Sequence, residues 1–229
     1  TNLESGKTAD FIYGHTPFIV NAENIFNRKI HDITMLRDPV KRFISSYRTD
    51  INNNNTLTDF KAWVKWIESG NHTLGFNWIK FNHQTDMLSG FQNDLTTEVD
   101  LQQAKENLKK FKFVGLTEEF DNSVEIFTKV FSLPYMHRKP LIKYKAKNVI
   151  PIDPDIIEFI KEKSHFDIEL YEYGRKLFGE KKKQHRDTAL ISPTNIDRYL
   201  NYPIKDVDYW VGKVNVKIRN KLFNDIVEL

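Results

Sequence analysis

Residues 32–48, DITMLRDPVKRFISSYR, bring a strand, a stop and a helix start together within a few positions. DITML is compact, β-branched and apolar, the pattern of a buried parallel strand, and it ends abruptly at Arg37-Asp38-Pro39. Pro39 suits the first helical position, with Asp38 before it as N-cap. Val40, Phe43, Ile44 and Tyr47 then recur at i, i+3, i+4 and i+7, which predicts a helix to about Thr49. A strand turned this sharply into an amphipathic helix belongs to an α/β sheet. In open parallel sheets, ligands bind beyond the carboxyl ends of the strands, where Arg37 stands.

Elsewhere, short strands alternate with helices. DFIYGHTPFIV (10–20) reads as a strand broken at Gly14, and KFVGL (112–116) as another. Helices are predicted at 60–69, capped by Thr58 or Asp59, at 98–111 through Val99, Leu101, Ala104 and Leu108, at 117–131, at 154–164 and at 166–178. Residues 71–97 read as irregular and aromatic, made of short helices and loops, and EKKKQHR (180–186) as a charged break. The expected architecture is an α/β open parallel sheet flanked by helices, with residues 1–180 as the main domain and 181–229 as a C-terminal helical extension.

Composition narrows the function classes. No cysteine is present, which excludes thiolate metal sites and thiol nucleophiles, and no His–carboxylate grouping has metal-ligand spacing, so no metal is expected. A net charge of +3 is too small to imply nucleic acid. No apolar run approaches the roughly 18 residues that span a bilayer, and a soluble protein is expected. The 17 Phe, 9 Tyr and 4 Trp can build a core; Trp63 and Trp66, at helical spacing, are read as part of it, whereas Phe76, Trp78 and Phe81 suit either an acceptor cleft or a packed lid.

At 100° per residue, Lys41, Ser45 and Arg48 share one face of the predicted helix, away from its apolar stripe. A hydroxyl between cations beside a helix N-terminus suits a phosphate, each charged hydrogen bond contributing roughly 1.5–3 kcal/mol. A solvated face explains the same three residues from composition alone; the arginine ending a buried strand is harder to explain that way.

LRDPVKRFISSY resembles the 3′-phosphate-binding segment of PAPS-dependent sulfotransferases, in the branch of uronosyl 2-O-sulfotransferases and related carbohydrate enzymes. Arg37, Arg42, Ser45 and Tyr47 match its R-D-P-x-x-R-x-x-S-x-Y pattern. YGHTPF (13–18), KFVGLTEEFDNSVEIF and FDIELYEYGRKLF, with its D-x-x-LY, resemble further segments of that branch, so the likeness covers about residues 10–180. The resemblance implies a P-loop-like sheet, PAPS as sulfuryl donor and 3′,5′-ADP as product. It also implies a Lys-containing loop for the 5′-phosphosulfate several dozen residues before Gly14. Residues 1–229 do not hold that loop: ESGKTAD (4–10) ends like a Walker A motif but has Thr1 where the first Gly is needed. The domain is therefore expected to be N-terminally incomplete, the other reading being a protein that has lost half its donor site.

The roles implied are Arg37 and Ser45 on the 3′-phosphate with Lys41 beside them, and His15 as general base. An imidazole accepts protons near neutral pH, and such a base contributes about 10²–10⁴ in rate; the alternative is a His that caps a turn. Lys145 and Lys147, in the cationic loop KYKAKN, are second candidates for the nucleotide, a solvated loop being the other reading. Asp38, Glu118 and Glu119 read as caps and first-turn acids. The expected activity is sulfuryl transfer from PAPS to a hydroxyl of a carbohydrate or similar acceptor.

Three alternatives stand beside it. One is a non-catalytic nucleotide- or glycan-binding module with a degenerate sulfotransferase fold, and another a P-loop kinase. The third is a polyanion-binding surface built from Lys139–Lys147 and Lys181–Arg186. Absent Cys, signal and anchor, with abundant Asn, Lys and Ile, point to a bacterial cytoplasmic protein. The amphipathic end of 187–229 suits packing against a second copy.

Overall fold

A computed structural model describes residues 18–19, 22–27, 29–52, 59–69, 80–90, 95–133 and 152–190. In chain order the elements are α1 (Ala22–Phe26), β1 (Ile33–Leu36), α2 (Pro39–Asn52), α3 (Phe60–Glu68), α4 (His83–Ser89) and α5 (Glu98–Lys110). They continue with β2 (Phe113–Leu116), a 3₁₀ turn (Thr117–Glu119), α6 (Phe120–Val130), α7 (Pro154–Lys163) and α8 (His165–Gln184). β1 and β2 pair in parallel, Ile33 opposite Phe113 and Leu36 opposite Leu116. Helices surrounding a parallel pair make this an α/β fold, as the alternating pattern implies. The proposed strand at 10–20 lies almost wholly outside the described residues.

Local chemistry sets the element ends. Asp38 Oδ1 accepts the Lys41 N–H at 2.9 Å, so Asp38 caps α2 with Pro39 in its first turn. Asp59 caps α3 by accepting the Ala62 N–H at 2.7 Å, while Thr58 lies outside the described residues. Asp153 does the same for α7 through Asp155 N–H, ahead of Pro154.

Two apolar clusters form among the described residues. The first joins the sheet to α5, α6 and α8 through Leu36, Leu101, Leu108, Phe113, Leu116, Ile126 and Leu170. The second packs α2, α3 and α7 together through Phe43, Tyr47, Trp63, Val64, Ile156 and Ile160, with Trp66 and Phe81 at its margin. Trp63 is thus core, as its spacing implies, and Phe81 stacks on Phe43 at 4.8 Å. Leu36 belongs to one cluster and Phe43 to the other. Arg37-Asp38-Pro39 is the joint between them.

The structure departs from the sequence reading in three places. Residues 180–184 are not a break. They continue α8, because Glu and Lys are good helix formers and cations in a last turn complement the helix dipole. The proposed boundary at 180/181 therefore falls inside a helix, while residues 191–229 lie outside the described residues. Val99 points to solvent at 70% exposure, so the apolar core face of α5 begins at Leu101. Thr117–Glu119 is a 3₁₀ turn ahead of α6 rather than its first turn.

Candidate functional site

Both parallel strands end at one edge of the sheet, and there no third strand among the described residues takes their last backbone groups. Side chains do so. Ser123 accepts the Leu116 N–H at 2.9 Å and donates to the Leu116 carbonyl at 3.0 Å. Thr117 Oγ1 donates to the Leu36 carbonyl at 3.0 Å. Gln84 takes both backbone groups of Arg37: its Oε1 accepts the N–H at 2.9 Å and its Nε2 donates to the carbonyl at 2.8 Å. Glu118 accepts the Asp38 N–H at 3.2 Å, and the Arg42 N–H donates to the Asp38 carbonyl at 2.8 Å. Every backbone polar group from the Leu36 carbonyl to the Asp38 carbonyl is therefore taken, and the joint is held in one conformation.

A buried polar layer stands behind it. Asp167, at the start of α8, accepts from Thr85 N–H at 2.8 Å, from Thr85 Oγ1 at 2.9 Å and from Gln84 N–H at 3.2 Å. Burial pushes its carboxyl above the usual range; the Arg42 charge and these donors oppose that. Arg42 is half-buried, with its Nε shielded from solvent, and donates from Nη2 to the Lys80 carbonyl at 2.6 Å. Burial lowers its guanidinium pKa, Asp167 opposes the shift, and the nearby Arg37 charge adds to it. Asn82 bridges α7 and α8, donating to the Lys163 carbonyl at 2.9 Å and accepting the Asp167 N–H at 3.2 Å. One turn beyond Asp167, Tyr171 donates its hydroxyl to Glu118 at 2.8 Å, and burial raises its pKa first, the Glu118 hydrogen bond second.

This accounts for two sequence features. Arg42 matches the resemblance pattern, yet here it is a half-buried support behind the joint. Asp167 and Tyr171 sit one turn apart on α8 and grip the two sides of the joint. Glu118, read from sequence as a first-turn acid, is structural in that way. Asn82, Gln84 and Thr85 are not singled out by the sequence, whereas Asp167 is the Asp of the D-x-x-LY segment. The available signal was a polar run, FNHQTDML, inside an aromatic region.

Of the residues singled out from sequence, Arg37, Lys41 and Ser45 share one strand–helix unit. Arg37 and Ser45 are half-buried; Lys41 and Arg48 are exposed on α2. Arg37 Nε is buried and has no hydrogen-bond partner. A buried guanidinium donor left unmade is costly, and an anionic oxygen brought there satisfies it. A phosphate dianion fits that requirement. His15, Lys145 and Lys147 lie outside the described residues.

A cavity of about 370 Å³ lies elsewhere, along α6 and the end of α8, lined by Lys129, Lys182, Lys183 and Arg186. Part of the basic run Lys181–Arg186 lands there. Lys129 already faces Glu125 at 2.9 Å and Lys182 faces Glu119 at 3.2 Å, so two of these four cations are paired with carboxylates, and the joint holds the stronger candidate site.

The model of the sulfotransferase family matches residues 15–174. Heparan-sulfate 6-O-sulfotransferase 1 of Cricetulus griseus is 25% identical over 190 residues, which cover 69% of this chain and 47% of the relative. Heparan-sulfate 6-O-sulfotransferase 1-B of Danio rerio is 27% identical over 185 residues, covering 67% and 45%. Heparan-sulfate 6-O-sulfotransferase 2 of Gallus gallus is 26% identical over 201 residues, covering 70% and 48%. The chain spans about half the length of the curated relatives it matches. These names carry a 6-O label, where the sequence resemblance was drawn to 2-O enzymes and their carbohydrate relatives.

Proposed function

Because the chain belongs to the sulfotransferase family, which matches it from residue 15 to residue 174, we propose that it transfers a sulfuryl group from PAPS to a carbohydrate hydroxyl, with release of 3′,5′-ADP. The observation that carries this reading is the buried, partnerless Nε of Arg37 just past the end of β1, at a joint whose own backbone N–H and carbonyl groups are all taken. That donor suits the 3′-phosphate, the group that distinguishes 3′,5′-ADP from 5′-AMP. Ser45 and Lys41 on α2 add a hydroxyl and a cation, and Lys145 and Lys147 are assigned to the same nucleotide. When bound, the donor supplies the sulfuryl group and a stable leaving group. The protein's own work is positioning and charge stabilisation.

His15 takes the proton of the acceptor hydroxyl at the imidazole. A helix-flanked, P-loop-like sheet is the frame proposed for it. The relatives named above support a heparan-sulfate-like chain as acceptor, with the 6-O position as the first to test.

Calorimetry with two nucleotides tests the site. Arg37→Ala should weaken 3′,5′-ADP by roughly 10- to 100-fold, the loss of one charged hydrogen bond or two, and leave 5′-AMP nearly unchanged. Equal losses for both nucleotides remove the assignment. For His15→Ala, nucleotide affinity should survive while transfer of labelled sulfate to glycan falls about 10²–10⁴-fold. A wild-type turnover in that variant excludes it as the base.

A further inference from the structure

We propose that Gln84 is a positioning residue for the nucleotide 3′-phosphate, and that Asp167 steadies it from α8. This rests on the assignment of Arg37 to that phosphate. Arg37 has two adjustable parts, a flexible side chain and the backbone that carries it. The backbone is held by one foreign amide, 47 residues away in sequence, which presents a donor and an acceptor side by side as a neighbouring strand would. Gln84 is only half-buried, so little of its role is core packing. Its own position is set by Asp167, which accepts the Gln84 N–H and both polar groups offered by Thr85.

The consequence follows from geometry. Removing the amide frees the Arg37 N–H and carbonyl to seek other partners, and a small backbone rotation there moves the guanidinium by a larger amount. Charged hydrogen bonds weaken steeply with misalignment, so the phosphate grip suffers before the fold does. Gln84→Met keeps chain length and apolar reach while deleting both hydrogen bonds. Asn107→Ala serves as the control. Asn107 donates to the Leu88 and Ser89 carbonyls at the far end of the same helix α4, at 2.8 and 3.1 Å, and is structural without touching Arg37.

The readout is the ratio of 5′-AMP to 3′,5′-ADP dissociation constants, alongside the melting temperature. Gln84→Met should lower that ratio about 10-fold, the loss expected when two ordinary hydrogen bonds no longer orient the binding group. Asp167→Ala should move it in the same direction with a larger fall in melting temperature; if that variant does not fold, Gln84→Met decides. Asn107→Ala should lower the melting temperature and leave the ratio at its wild-type value. A Gln84→Met protein that keeps the wild-type ratio while Arg37→Ala loses it overturns the positioning role and leaves the phosphate assignment standing. A ratio moved equally by Asn107→Ala also overturns it. An Arg37→Ala protein with an unchanged ratio, or a wild type with no preference, removes both.

Discussion

Trp63 is wholly enclosed, with the rings of Phe43, Tyr47 and Phe60 centred 6.2, 5.4 and 6.1 Å from its own. Because Phe43 and Tyr47 come from α2, this one side chain also fixes the helix that carries Lys41 and Ser45. Trp63→Ala should cost about 3–5 kcal/mol in urea unfolding, through lost burial and the cavity left behind. His185 presents a different residue-scale case. Burial first, then Lys181, Lys129 and Lys112, hold its imidazole below the usual range. The unfolded chain therefore binds that proton more tightly than the folded one, and stability falls as pH drops through about 6.5. Replacing His185 with Asn should flatten the loss of melting temperature between about pH 7.5 and pH 5.5. An unchanged slope would show that the group titrates alike in both states.

At the scale of elements, α8 is the part on which the joint depends. Its inner stripe runs Asp167, Leu170, Tyr171, Gly174 and Phe178, all buried. Gly174 allows the helix to lie against β1, since a Cβ there would collide with Leu36 Cδ1. Leu36 immediately precedes Arg37, so a shift at this contact reaches the candidate site. Gly174→Ala should cost about 1–3 kcal/mol as overpacking. The same change at Gly179, in the same helix with open space beside it, should be neutral or stabilise by up to about 1 kcal/mol. Comparing the two by chemical denaturation separates close approach from helix propensity. Similar effects at both positions would mean that α8 tolerates a methyl against β1.

For the molecule as a whole, two apolar clusters meet at one short joint, and a ligand held there contacts residues anchored in both. At a concentration 100 times its dissociation constant, 3′,5′-ADP should stabilise the protein by about 2.7 kcal/mol and raise its melting temperature. The Arg37→Ala protein, binding roughly 10- to 100-fold more weakly, should gain only about 0.4–1.4 kcal/mol at that concentration and show a correspondingly smaller rise. The elements that place the joint were readable because their signals are local. Periodicity marks the inner face of α2, Asp38 and Pro39 sit beside the helix they start, and a β-branched run marks β1. The misread places were also local: a charged run that extends a helix looks the same in sequence as one that ends it, and Val99 keeps the spacing of a core residue it is not. What the sequence by itself determined is the strand-to-helix turn at Arg37-Asp38-Pro39 and the family pattern around it. The tertiary structure alone decided what holds that turn, because Gln84, Glu118 and Asp167 reach their partners across 47, 80 and 83 residues. Buried hydrogen bonds of that kind have no period and no fixed spacing, and they exist only once the chain has folded around them.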